Sequence, residues 1–340
     1  MSGITSRRRG VLALSLVLLV LLHPRLLAGP DRSSNNTFSG QATVVRATVL
    51  GLQPVVLSDT GPLPSSGGAL HASLLSARVP GLLSAEVLHA TTVGQGNASR
   101  SEASVADLSL TVAGNSIAAG LLMARAAAEC RDGAAQQSGS SEIVALVING
   151  QTIAASGSPN ETIALPGGGR VIINEQDSTR PGDITVNALH VIVPGIADVV
   201  ISSAHADITC NGGCAGGSDF VTGGGFITPP SGGKANFAVA GGIKNKGLWG
   251  HLEYKDKGAS LSVHGTGVTA YTVLSATTRH IEGSAEVNGT PGFSYQVDVS
   301  DNGEPGRADV FSIRLSNGYA AGDTLQGGNI QLHKPTSCSK

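Results

Sequence analysis

From residue 140 onward the chain alternates apolar and polar residues in short runs that stop at glycine, asparagine or aspartate. Phe293, Tyr295, Val297 and Val299 occupy every second position of one run, and Phe311, Ile313 and Leu315 do the same in the next. Leu252 with Tyr254, then Leu261 with Val263, repeat the pattern, and "NIQLHK" (329–334) closes the series. A period of two fits a strand with one buried face and cannot be laid on a helix. The dipeptide Asn-Gly recurs at 149, 211, 288, 302 and 317, and it accepts the positive φ angles that tight hairpins require. Hairpins joining short alternating strands predict an all-β chain, with two antiparallel β-sandwich or barrel-like domains in tandem after a signal peptide.

Two stretches test that reading. In "ADVVISSAHADITC" (197–210) the alternation sets Val200, Ala204, Ala206, Ile208 and Cys210 on one face. Ser203, His205, Asp207 and Thr209 fall on the other, where His205 and Asp207 read as solvated positions rather than a catalytic pair. "SIAAGLLMARAAAEC" (116–130) has high helix propensity, but small apolar residues on both faces also suit a strand covered on two sides. Periodicity leaves the two open there, and we lean to strand.

The first residues are set apart by composition. Arg7, Arg8 and Arg9 precede the apolar run Val11–Leu22, and Ala28 ends a short polar stretch suited to cleavage, so residues 1–28 read as a secretory signal peptide. Arg8-Arg9 also fits a twin-arginine signal loosely, although the greasy run favours the general export route. Removing this segment takes four arginines from the 22 Lys+Arg, leaving 18 against 24 Asp+Glu, a balance near −6. Such a chain offers no electrostatic footprint for nucleic acid. No later run is long and apolar enough for a transmembrane anchor in the mature chain. An exported address follows, extracellular or in the cell envelope, with an unidentified partner there.

The four cysteines, 130, 210, 214 and 338, fit disulfides in an oxidising compartment. We read Cys130–Cys210 as one bridge and Cys214–Cys338 as the other, with a local Cys210–Cys214 bridge as the alternative. "CNGGC" lacks a second ligand pair for zinc. The glycines of 211–218 mark a linker between a domain at 29–210 and a second at 219–334, with 335–340 as a tail. Aromatic residues are only 3% of the chain, which leaves a glycan-binding site little to stack with.

"DVSDNGEPGRAD" (298–309) is the sharpest chemical motif. Written as a calcium loop it offers Asp298, Ser300, Asn302, the Glu304 carbonyl and Asp309 at the ligand positions, with Gly303 at the turn. Its flanks are strands rather than helices, so a long hairpin loop is the competing reading. "SGGK" (231–234) with "SDN" (300–302) mimics part of a serine β-lactamase set, but the third element is missing. The glycine runs at 166–170 and 222–226 match no phosphate loop and read as turns or closely approaching strands. No catalytic residue set emerges.

Longer stretches carry a resemblance. "ALVINGQTI" (145–153), "SPNETIALPGGGRVIINEQ" (158–176), "ITVNALHVIV" (184–193) and "DVVISSAHADITC" (198–210) resemble the choice-of-anchor P family of bacterial exported proteins. "DFVTGGGFI" (219–227), "GKANFAVAGGIK" (233–244), "DNGEPGRADVFSIRLSNGY" (301–319) and "GGNIQLHK" (327–334) resemble the domain that commonly follows it. The resemblance implies a secreted or surface-held component with no catalytic residues to carry over. The final "PTSCSK" shows no sorting motif, so release or retention by a partner is expected. The resulting expectation is a non-enzymatic structural or interaction protein. A calcium-stabilised ligand-binding or adhesive protein is the first alternative, and a hydrolase with an unrecognised site the second.

Overall fold

A computed structural model describes residues 36–211, 218–244 and 247–335. The signal segment, most of the 211–218 linker, Cys214 and Cys338 lie outside the described residues. Those described form twenty-two strands and no helix. The first half contributes β1 (Thr37–Val49), β2 (Val55–Asp59), β3 (Gly68–Val79), β4 (Leu83–Gln95), β5 (Ala98–Val112), β6 (Asn115–Arg131) and β7 (Ala134–Val144). It continues with β8 (Leu146–Ile148), β9 (Gln151–Ile153), β10 (Glu161–Ala164), β11 (Arg170–Asp177), β12 (Asp183–Val193) and β13 (Ala197–Thr209). The second half contributes β14 (Phe220–Ile227), β15 (Ala235–Lys244), β16 (Gly247–Asp256), β17 (Leu261–Val273) and β18 (Thr278–Val287). It ends with β19 (Thr290–Ser300), β20 (Val310–Leu315), β21 (Ala320–Thr324) and β22 (Gly327–His333).

Every pairing is antiparallel, and the strands make three sheets. The first runs β10-β11-β12-β13-β1-β2, and the second β3-β4-β5-β6-β8-β9 with β7 also on β6. The third is a nine-stranded sheet, β21-β20-β19-β18-β17-β16-β15-β14-β22. The Asn-Gly pairs at 149 and 288 have positive φ at both residues and turn β8 into β9 and β18 into β19. Ala113-Gly114 and Asp132-Gly133 do the same at either end of β6.

One apolar core lies between the first and second sheets, built from Val44, Leu88, Val105, Leu122, Val191, Ile201 and their neighbours. A second lines the inner face of the third sheet, around Phe237, Tyr254, Val297 and Phe311. Each half of the chain thus has its own core. The second sheet is covered on both faces, which explains the Ala-rich β6: Leu122, Ala124, Ala126 and Ala128 face the first sheet's core, while Leu121, Met123 and Arg125 take the opposite face. Cys130–Cys210 ties β6 to the residue following β13 across 80 positions, with Cα atoms 5.7 Å apart.

Strand 13 departs from the simple alternation. Val199 and Ile201 enter the core, then Ala204, Ala206 and Ile208; Val200 is buried outside it. Ser202, at φ 55°, switches the parity, and its hydroxyl donates to Leu122 O at 3.1 Å. The expectation that Val200 shares a face with Ala204 is corrected on that account.

Candidate binding groove beside the last strand

The second and third sheets meet through polar side chains. Small residues allow the approach: a Cβ on Gly224, in the "TGGGF" run of β14, would sit 2.9 Å from Ser104 Oγ of β5. That run is therefore a closely approaching strand, whereas Gly167 and Gly168 of the other run turn β10 into β11 with φ near 80°.

Three charged or titratable clusters sit in this interface. At one end, β-bulges around Val87 and Asp107, both at positive φ, re-aim neighbouring side chains. Glu86 meets Lys255 at 2.9 Å, and Asp107 meets Lys234 at 3.1 Å and Asn236 at 2.8 Å. In the middle, His251 stacks on His71 with centroids 4.4 Å apart, and its Nε2 lies 3.4 Å from His89 Nδ1. Burial lowers His71 to about 4 and His89 to about 3, so both are neutral near pH 7. The single tryptophan, Trp249, packs here against Phe220 and His71. In the third cluster the register of β5, β6 and β7 sets Glu102, Arg125 and Ser140 in one row. Arg125 binds Glu142 at 2.9 Å, its Nε is 3.7 Å from Glu102, and Asn329 of β22 donates to Glu102 at 3.2 Å. Burial pushes Glu102 up to about 7, against the pull of Arg125.

The calcium-like loop belongs to this third cluster. β22 is an edge strand, and its outward amides need acceptors. Gly328 N donates to Glu142 at 3.2 Å, Ile330 N to Asp309 at 2.8 Å and Leu332 N to Asp301 at 2.9 Å. Three carboxylates stand where a neighbouring strand's carbonyls would be. Asp309 is fully buried, also accepts Asn302 N at 2.8 Å, and is raised to about 6 by burial. Glu304 accepts the side-chain amides of Asn329 and Gln331. Asp298 lies on the sheet face with His280 at 2.6 Å, and Ser300 bonds Thr278. The loop residues are thus divided between capping β22 and the face of β19. Among the described residues no group of three or more His, Cys, Asp or Glu is arranged to hold a metal ion.

The second sheet extends past the β22 edge, and the step between them forms a groove. Its floor is Arg100, Arg125, Ala127, Glu129, Ser138 and Ser140, and its wall is Gln331, Leu332 and the loop from Asp301 to Pro305. The cavity measures about 490 Å³, and a neighbouring one of about 380 Å³ continues beside β22, sharing Arg100 and Leu332. Glu129 holds Arg100 at 2.5 Å.

Other candidates do not assemble. His205 binds Asp183 and Asp207 binds Arg180, so this pair is split between partners on a half-exposed face. Ser231 donates to Asp256 and Lys234 to Asp107, away from the partner of Ser300. The histidine cluster and the groove are missed by sequence reasoning, since their members are tens to more than two hundred residues apart; the available signal is polar residues within otherwise buried strands such as β4 and β5.

No family model and no curated protein matches the chain. The crystal structure of a candidate AttH from Nitrosomonas europaea aligns over 90% of this chain and 96% of that one, at 8% identity and a TM-score of 0.20, an overlap that carries no argument about fold or function.

Proposed function

We propose that this chain is an exported, non-enzymatic interaction protein, secreted or held at the cell envelope, of the choice-of-anchor P kind. The groove beside β22 carries the reading. Its arginines are held by carboxylates and its loop carboxylates by amides, an arrangement that fixes a surface for recognition rather than freeing a group for proton transfer. The Cys130–Cys210 bridge is compatible with an oxidising compartment. Fractionation of the native host with intact-mass analysis tests the proposal. A chain cleaved after Ala28 and recovered from envelope or medium is expected; an uncleaved cytoplasmic chain would overturn it.

A further inference from the structure

The sandwich of the first and second sheets has two unlike ends. Cys130–Cys210 closes one of them, where the turns carry Asp132 and Arg180. At the other end the turns β1–β2, β10–β11 and β12–β13 of the first sheet, and β3–β4, β5–β6 and β8–β9 of the second, carry no charged residue. Four aliphatic side chains stand exposed there: Leu50 (76%), Leu52 (45%) and Ile196 (45%) on the turns, and Val56 (54%) on the edge strand β2. The turns are closed on themselves. Leu50 N donates to Ile196 O at 2.8 Å, Leu52 N to Val49 O at 3.0 Å, Ile196 N to Val193 O at 2.9 Å and Leu82 N to Val79 O at 3.0 Å. An apolar tip whose amides are already bonded leaves water without the cost that bare backbone carries in lipid.

Cations outnumber carboxylates behind these tips. Arg78, Arg170 and Asp198 sit in the second row of paired residues from that end, and Arg46 lies two rows further back. Asp198 is held by His190 at 3.2 Å. At the depth of Arg46, Glu86 and Asp107 are held by Lys255, Lys257 and Lys234, so six cations stand against three carboxylates. Arg46, Arg78 and Arg170 are exposed, and among the described residues none makes a hydrogen bond or ion pair. At about 3.3 Å per residue Arg46 is about 10 Å behind Val49, where headgroups lie when apolar tips reach the acyl boundary. Two copies meeting tip to tip would set arginines against arginines. A folded partner would need a cavity for each separate turn, whereas a fluid acyl surface moulds to all of them. We propose that this end docks on an anionic lipid surface, with Leu50, Leu52 and Ile196 entering the acyl boundary and Arg46, Arg78 and Arg170 at the phosphates. The inference rests on the reading of an envelope-held chain, and names what holds it there.

The disulfide-bonded chain without residues 1–28 is sedimented with vesicles of phosphatidylcholine alone and of phosphatidylcholine with phosphatidylglycerol. Binding to the second and not the first is expected, falling with added salt as the exposed charges are screened. Arg46→Gln/Arg78→Gln/Arg170→Gln should weaken it about a hundredfold. Leu50→Ser/Leu52→Ser/Ile196→Ser should weaken it about tenfold or more. All six positions are exposed, so circular dichroism and melting temperature should stay unchanged. Should the serine variant melt early, Leu50→Ser alone carries the test with a severalfold loss. No binding to either vesicle, equal binding to both, or binding indifferent to either set of substitutions would overturn the proposal. So would self-association of the parent in sedimentation velocity that the serine variant abolishes, which would make a second copy the occupant. An exported chain that ignores lipid would sink this assignment alone; an uncleaved cytoplasmic chain would remove the reading beneath it.

Discussion

Replacing Glu102 by glutamine should make the protein more stable at alkaline pH and leave it nearly unchanged in mild acid. Glu102 is 4% exposed, accepts a hydrogen bond from Asn329 and has Arg125 Nε 3.7 Å away. Burial outweighs the arginine and raises the carboxyl from 4.5 to about 7. A carboxyl with a raised folded value binds its proton more tightly in the folded chain than in the unfolded one. Its contribution is therefore fully present below about 4.5 and is lost as pH climbs through about 7. The difference of about 2.5 pH units corresponds to roughly 3 kcal/mol. Glutamine keeps an oxygen for Asn329 and cannot ionise. Urea unfolding of both proteins at pH 5, 7 and 9 measures the gap, which should open in favour of Glu102→Gln by up to about 3 kcal/mol between pH 5 and 9. A constant gap across that range would refute the reasoning, as would a variant less stable than the parent at pH 9.

The opposite sign holds at the histidine cluster. His89, buried and lowered to about 3, contributes stability that is present above about 6.5 and declines as pH falls toward 3, so acid unfolding followed by fluorescence of Trp249 should be shallower in His89→Gln. Asp309→Ala leaves the amides of Ile330 and Asn302 without their acceptor and should cost about 2–4 kcal/mol in urea unfolding, with Asp309→Asn costing less because one acceptor oxygen remains. Cys130→Ser/Cys210→Ser removes a cross-link over 80 positions and should lower unfolding free energy by up to about 4–5 kcal/mol, measured against the oxidised parent.

The strands were legible because they depend on local pattern. Phe293 to Val299 and Phe311 to Leu315 alternate in the chain as they do in the sheet. Even the ambiguous β6 followed from its small residues once coverage on two faces was allowed. The failure at Val200 has a local cause that composition hides, the positive φ of Ser202. The groove was not legible for a different reason. Arg100, Ser138 and Gln331 become neighbours only through the register of β5, β6 and β7 and the stacking of one sheet on another, which no single run encodes.

The two interfaces of the middle sheet also differ in what they ask of solvent. Its contact with the first sheet is aliphatic and carries no titratable group among its core residues, so pH does not act on it directly. Its contact with the third sheet holds His71, His89 and His251, which burial keeps neutral by lowering them, and Glu102, which burial raises to about 7. Charging the histidines places uncompensated charge between the layers, whereas an ionised Glu102 has the Arg125 guanidinium beside it. Glu102 is the cross-strand neighbour of Arg125, which lies on the groove floor, in the row that includes Ser140. Its ionisation would give Arg125 a second carboxylate partner and draw the guanidinium away from the groove. Arg125→Ala should therefore cost more stability at pH 9, where Glu102 is ionised, than at pH 5, where it is protonated; an equal loss at both pH values in urea unfolding would break the link between the buried carboxyl and the guanidinium.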